Sequence, residues 1–524
     1  MTGTSSAPWG IRVMERLLGP CCSNPNRRAS YYRAFVLVAT FLAYTCYHMT
    51  RRPLSIVKSV LNEDCRFVAP DPSIIVTQNT SRTWCDWAPF VGDEAPRLYS
   101  YLDSSYLFAY AICMFGSGFV AERMHLRYFL ALGLLMSALT THLFGLGYSL
   151  KIHNFGYYFV VQLIGGAFQS TGWPSVVTCV GNWFGKSKRG LIFGVWNAHT
   201  SVGNIVGAYV AGVFVSSNWG LSFVVPAAIC GFVGVLVALF LTPYPEEVNC
   251  DPPRRSSTSL QASLSSTVAT APIAVEAEEE PRTDSDESSL LPEEEQRYLL
   301  ERKLKRESDK KAVTFIQALC IPGVIDFSLA LFFAKLVSYT FLFWLPFYIH
   351  ASTTFDSAHS AFLSTLFDFG GIAGGVLAGY LSDRTGASAL ICGLFLTAAI
   401  PMMFIYEVFG SWSLGLNMFL QFLAGLFING PYALITTAVS AELGTHVSVS
   451  GNAKALATVT AIIDGTGSIG AAVGPLLAGL IVSYGWNTVF YMVMIADMLA
   501  TICLLRVIKQ EVIRLRTRRV MALQ

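Results

Sequence analysis

Charge is what this 524-residue sequence lacks most: 13% of its residues are Asp, Glu, Lys or Arg, about half of the roughly 25% usual in soluble domains. Against 53% hydrophobic residues, so little charge excludes a string of water-soluble domains. The mean hydropathy of +0.50 agrees. Neither sign dominates, with 36 Lys and Arg against 34 Asp and Glu, so there is no electrostatic footprint for nucleic acid. Cysteine is too sparse, at 12 residues, to form a disulfide scaffold. Metal-ligand clusters, phosphate-cradling Gly-rich loops and nucleophile elbows are missing, so neither a cofactor nor an enzymatic reaction is expected. A cleavable leader is not expected either, because the first 31 residues are polar and basic and an apolar segment follows directly.

What is present is a series of long apolar runs. A bilayer core needs roughly 20 apolar residues per helix. Runs that qualify lie near 32–61, 99–120, 126–147, 156–180, 190–215 and 220–242, and again near 324–348, 360–381, 388–408, 412–440, 453–482 and 487–507. The sequence therefore predicts an all-α polytopic membrane protein with 12 transmembrane helices in two six-helix bundles. Its expected parts are a cytoplasmic N-terminal segment 1–31, a bundle over 32–242, a linker 243–313, a second bundle over 314–507 and a basic cytoplasmic tail 508–524. The linker is Ser/Thr/Pro-rich, then acidic, then basic, a composition that cannot bury a core and predicts a disordered tether.

Lys and Arg concentrate on one side of this arrangement: the N-terminal segment, the linker, the short loops after every second span, and the tail. The other side holds only Arg66, Arg82, Arg97 and Lys151. The positive-inside rule then places both termini in the cytoplasm. The first loop on the opposite side, 62–98, carries the glycosylation sequon at Asn79 together with Cys65 and Cys85. These two cysteines are either a lumenal disulfide or two free thiols.

The second and eighth spans end alike. Gly118-Phe-Val-Ala-Glu122-Arg123 recurs as Gly379-Tyr-Leu-Ser-Asp383-Arg384. Glycine lets helices approach closely, and the acid–Arg pair beside it can bridge helix ends. Glu122, Arg123, Asp383 and Arg384 are therefore expected to form a gate on the cytoplasmic side. Six plus six spans, a long central loop and two such motifs resemble the major facilitator superfamily. The resemblance implies two bundles rocking about a midplane site.

Ionisable residues inside spans are costly and functional by default. In the first span Tyr44, Tyr47, Arg51, Ser55 and Lys58 follow helical spacing on one face, with His48 and Arg52 to the side and Pro53 as an expected kink. A cationic stripe with tyrosines suits an anionic, hydroxyl-bearing substrate, and arginine can grip phosphate bidentately. The alternative is that Arg51, Arg52 and Lys58 only snorkel to the surface. Lys335, in the seventh span, offers a cation from the other half. Asn197, Thr200, Ser201 and Asn204 form a polar stripe with His199 adjacent. Asp103, Asp368 and Asp464 would pair with the cations in the empty state or couple protons, Asp103 having an interfacial position as its alternative.

At these residues the resemblance narrows. Tyr47-His48-Met49-Thr50-Arg51-Arg52, Gly172-Trp173-Pro174, and Arg189-Gly190 followed by Trp196-Asn197 are similar to segments of the organophosphate/phosphate antiporters. The vertebrate sugar-phosphate exchangers of that group match further, over 47–58, 171–179, 181–186 and 196–204. The resemblance implies a glucose 6-phosphate/phosphate exchanger of the endoplasmic reticulum membrane. Arg51 would be the phosphate ligand, Lys335 a second cation, and Tyr47, Asn197, Lys58 and His199 further substrate partners. Two positions depart from the bacterial pattern: His199 comes one residue early, and Ser338 stands where a seventh-helix arginine is expected. The readings kept beside this one are a proton-coupled organic-anion carrier, a glycerol 3-phosphate exchanger, and a non-transporting receptor or scaffold. Expected partners are thus a sugar phosphate, inorganic phosphate and the lipid bilayer.

Overall fold

The computed structural model describes residues 7–18, 25–62, 84–121, 123–184, 195–251, 315–443 and 453–521. In a bilayer every backbone N–H and C=O must be satisfied within the protein, which favours helices wherever the apolar runs cross. The described chain is helical: α1 (Trp9–Leu18), α2 (Pro25–Arg51), α3 (Pro53–Leu61), α4 (Ala95–Ala121), α5 (Leu126–Ser149), α6 (Phe155–Gln169), α7 (Gly172–Trp183), α8 (His199–Phe214) and α9 (Leu221–Phe240) form the first half. The second half holds α10 (Phe315–Leu319), α11 (Val324–Ser352), α12 (Ser357–Thr385), α13 (Ser388–Phe409), α14 (Leu414–Leu434), α15 (Ser440–Leu443), α16 (Ala453–Ile481) and α17 (Trp486–Met521).

Eight helices, α5, α9, α11, α12, α13, α14, α16 and α17, are each long and apolar enough to cross a membrane. The other crossings are broken, more polar or shorter: α2 with α3, α4, α6 with α7, and α8. Together they give the twelve crossings and two six-helix bundles of a major facilitator fold. The first crossing breaks at Arg52 because Pro53 has no N–H to continue the ladder. The Ser55 hydroxyl donates to the Arg52 carbonyl at 2.7 Å and caps the break. The fourth crossing breaks at Ser170 and Thr171, whose hydroxyls donate back to the carbonyls of Ala167 (2.7 Å) and Phe168 (2.9 Å).

Small residues bring the helices of each bundle close. A Cβ at Gly203 or Gly207 of α8 would meet the carbonyls of Thr45 (2.5 Å) or Met49 (2.7 Å) on α2. The second half repeats the device where Gly470 and Gly474 of α16 lie against the Phe332 and Leu336 carbonyls of α11.

The bundles meet at the end away from the termini. There Gly479 of α16 lies on Ser100 of α4, and Tyr209 of α8 lies 5.2 Å from the ring of Phe362 on α12. At the terminal end they separate. A Cβ at Gly118 or Gly379 would meet nothing within 4 Å. The close helix approach expected of these motif glycines is therefore not made in this conformation, and Gly379 lines a cavity instead.

Three local features depart from the sequence expectation. The polar N-terminal segment contains α1, which buries Ile11 and is tied to α2 by the Arg28–Glu15 ion pair at 2.8 Å. The expected linker begins as packed structure, since Glu247 is buried against His125 (2.9 Å) and Arg127 (3.6 Å). The last crossing runs without a break to Met521, well beyond position 507.

Candidate functional site

The expected cationic stripe is divided among different surroundings. Tyr47 turns inward. Its hydroxyl lies 3.1 Å from the Thr171 hydroxyl and 3.4 Å from the Leu130 carbonyl, and its ring fills the notch left by Gly172. It packs inside the first bundle rather than lining the cavity between the bundles. His199 also belongs to that interior, in an aromatic nest of Tyr44 (4.6 Å) and Trp196 (4.4 Å), with Nδ1 3.2 Å from the Thr200 hydroxyl.

Lys58 does not snorkel. It is wholly buried, and its ammonium donates to Asp103 Oδ2 at 2.5 Å and to the Phe343 carbonyl of the other bundle at 3.0 Å. Asp103 is equally buried, so its interfacial alternative falls as well. Arg52 crosses the same interface. It donates to the Leu342 carbonyl and to the Ser364 hydroxyl (2.7 Å), and lies 3.8 Å from Asp368. Asp368 accepts from Asn204 at 2.9 Å, and Asn204 lies 3.3 Å from His48. A polar closure thus seals the end away from the termini.

In the second half Lys335 donates to Asp464 at 2.7 Å and lies 5.5 Å from the Tyr432 ring. All three acids singled out in the spans pair with cations in this conformation. Arg51 differs. It is buried, its Nε donates to Gln169 Oε1 at 2.6 Å, and its guanidinium lies 4.7 Å from the Tyr110 ring. No carboxylate meets it among the described residues, and its Nη2 has no hydrogen-bond partner.

The main cavity runs between α8, α11, α12 and α14 and reaches Asp383 at the terminal end. Its polar lining includes Asn197, Ser201, Asn204, Ser338, Asp368 and Asn429. Ser338, which stands at the position of the expected arginine, donates to Asn429 at 2.6 Å. A smaller chamber between the first bundle and Phe343 of α11 is lined by Arg51, Thr50, Tyr106, Thr140, Gln162 and Gln169. The site therefore brings together Asn197 with the α8 stripe in the main cavity, and Arg51 with a ring of hydroxyls and amides beside it. Sequence reasoning missed Gln169 and Asn429. Their signal was an isolated side-chain amide inside an otherwise apolar span.

Of the gate residues, Asp383 and Arg384 are exposed, and Arg384 donates to Tyr380 of its own helix at 2.9 Å. Arg123 is described, whereas Glu122 lies outside the described residues, as do Asn79 and Cys65. Cys85 is disulfide-bonded.

The Major Facilitator Superfamily model matches residues 40–453. The chain is similar to the glucose-6-phosphate exchanger SLC37A2 of Mus musculus, 50% identical over 492 residues that cover 94% of this chain and 95% of the relative. It is 49% identical to the Homo sapiens SLC37A2 exchanger, covering 93% of this chain and 94% of the relative. To the Homo sapiens glucose-6-phosphate exchanger SLC37A1 it is 47% identical, covering 92% and 94%. A solved bacterial homolog of the human lysosomal transporter Spinster, inward-facing and unoccupied, matches with a TM-score of 0.53 at 15% identity, covering 93% of this chain and 97% of that one. That last likeness concerns the fold alone.

Proposed function

The chain belongs to the major facilitator superfamily, and we propose that it is an antiporter exchanging glucose 6-phosphate for inorganic phosphate across an intracellular membrane by alternating access. Its relatives are named exchangers, and the chain is a transporter rather than an enzyme. The observation that carries the phosphate assignment is Arg51. Each of the other membrane-embedded cations named above has a carboxylate within 4 Å: Arg52 has Asp368, Lys58 has Asp103 and Lys335 has Asp464. Arg51 alone among them keeps an uncompensated charge and a free Nη2. A buried unpaired charge is strongly unfavourable, and a phosphate dianion is the ligand that relieves it with charge-assisted hydrogen bonds.

Exchange follows from the same energetics. Closing the bundles over an empty site would strand the Arg51 charge in low dielectric, whereas either phosphate or a sugar phosphate compensates it. The carrier thus returns loaded. Lys335 joins the substrate by leaving Asp464, and the amides and hydroxyls of Asn197, Ser201, Asn204 and Asn429 suit sugar hydroxyls. The conformation described opens toward the termini, which the basic bias assigns to the cytoplasm. Opening the other end requires Arg52 and Lys58 to release the α11 carbonyls. Asp368 ties that closure to the cavity, because it belongs to both. Membership of the endoplasmic reticulum, glycosylation at Asn79 and the Glu122–Arg123 and Asp383–Arg384 gate belong to this reading through the resemblance of the motifs.

Coupling through Asp103 or Asp464 in a proton-driven carrier is the less favoured reading, since lysines hold both carboxylates. The experiment is uptake of labelled glucose 6-phosphate into proteoliposomes. Uptake should require phosphate inside and should be inhibited by phosphate outside more strongly than by neutral glucose. Uptake driven by a pH gradient into phosphate-free vesicles would overturn the exchange reading.

A further inference from the structure

Arg51 is held by a side chain that the motifs do not include. Gln169 is the last residue of α6, set at the break before α7, and is 2% exposed. An arginine Nε can only donate, so the Gln169 oxygen at 2.6 Å is fixed as its acceptor and the amide orientation is determined. The Gln169 NH2 then points the other way. It donates to the Thr50 hydroxyl at 2.9 Å and the Tyr47 carbonyl at 3.3 Å. Thr50 in turn donates to the Tyr47 carbonyl at 3.0 Å. The amide is fully used, with one acceptor on the guanidinium and two donors on the turn of α2 that carries it.

The choice of amide matters electrically. A carboxylate at this point would neutralise Arg51 in the way that Asp103 and Asp464 neutralise their lysines. A neutral acceptor on Nε fixes the plane of the guanidinium without consuming its charge, and leaves Nη2 free. The break between α6 and α7 is what delivers it. α6 ends at this residue, where the amides of Ser170 and Thr171 bond back only three residues, to Ala167 and Phe168, and Gly172 lets the next helix start against the Tyr47 ring.

We propose that Gln169 is the positioning residue of the phosphate site, orienting Arg51 through Nε while keeping its charge available to the substrate. This rests on the reading of Arg51 as the phosphate ligand. The titratable groups facing Arg51 are Tyr44, Tyr47 and His48 of α2, Tyr106 and Tyr110 of α4, Tyr339 of α11 and Tyr432 of α14, and no carboxylate is among them. A glutamate placed here would be the one acid in contact with Arg51.

The test is labelled phosphate exchange by purified full-length Q169E and Q169L in phosphate-loaded proteoliposomes, reported as a ratio to the parent at pH 7.5 and pH 5.5. Q169E should lose exchange about ten- to a hundredfold at pH 7.5, the worth of a buried charge-assisted contact. The loss should persist at pH 5.5, because the adjacent guanidinium favours the ionised carboxylate. Q169L should raise the phosphate KM by about tenfold with little change in maximal rate, because orientation is lost but the charge remains. Parental exchange by Q169E at pH 7.5, or a parental phosphate KM for Q169L, overturns the proposal. Failure of Arg51 itself would be seen separately: if R51A exchanges normally, the ligand assignment falls whatever Gln169 does.

Discussion

The Lys58–Asp103 pair allows a quantitative test of how the closed end is built. Both side chains are completely buried, 2.5 Å apart. Asp103 Oδ1 has no hydrogen-bond partner, whereas Lys58 has a second acceptor in the Phe343 carbonyl. At an effective dielectric of about 20, two charges at this separation attract by about 6–7 kcal/mol. Desolvating each ion costs several kcal/mol, so the intact pair is close to neutral relative to an apolar replacement. Breaking it is different. Lys58→Met leaves an unpaired carboxylate in the interior and should destabilise the protein by about 3–5 kcal/mol. The double variant K58M/D103L removes both charges and should recover all but about 1–2 kcal/mol, the remainder reflecting the lost bond to Phe343. Chemical denaturation in detergent, followed by tryptophan fluorescence, measures the three proteins side by side. If the single variant is no less stable than the double, the two groups are not a mutually dependent buried pair and the reasoning fails.

Three further outcomes follow from individual contacts. Tyr47→Phe should leave the phosphate KM within about twofold of the parent, since its hydroxyl serves Thr171 and Leu130, and should cost about 1 kcal/mol of stability; a large rise in KM would return Tyr47 to the substrate. Asp464→Asn frees Lys335 from its carboxylate and should lower the phosphate KM several-fold in vesicle exchange, about 1 kcal/mol being about fivefold; an unchanged KM would remove Lys335 from the site. Gly379→Val fits the open space in this conformation, so detergent melting should be unchanged within about 0.5 kcal/mol, whereas exchange slows because the motif face cannot close. Equal slowing and loss of stability would point to ordinary misfolding instead.

The crossings were legible because lipid leaves the backbone few choices. An apolar run of sufficient length is a helix, and the observed ends of α5 and α13 fall within two residues of the predicted ones. That the three acids meet cations also followed from cost, since a lone charge there is expensive; that Asp464 is the one at Lys335 did not. Nor did the partner across the bundle interface. Nothing in local spacing indicates that Lys58 reaches the Phe343 carbonyl, 285 positions away, or that Arg52 reaches Leu342. The helical-face argument put Tyr47 and Arg51 on one stripe of the same helix, but the neighbouring helices divide that stripe: Tyr47 meets Thr171 and Leu130, whereas Arg51 meets Gln169. Glu247 was assigned to a tether on composition, but a buried carboxylate with His125 and Arg127 is a tertiary fact that composition cannot carry. Gln169 was invisible for a related reason: a neutral amide in an apolar run gives no charge signal, and its meaning comes from the arginine it meets.

The central claim is that Arg51 is the one membrane-embedded cation without a carboxylate among the described residues and therefore the phosphate ligand. It is tested most directly by phosphate/phosphate exchange in proteoliposomes, comparing the parent with R51A and R51K at equal reconstituted amounts. Loss of a bidentate pair of buried charge-assisted contacts predicts about a hundredfold fall in exchange for R51A. R51K should recover only part of it, because an ammonium keeps the charge but lacks the fork. Exchange by R51A at the parental rate would contradict the account.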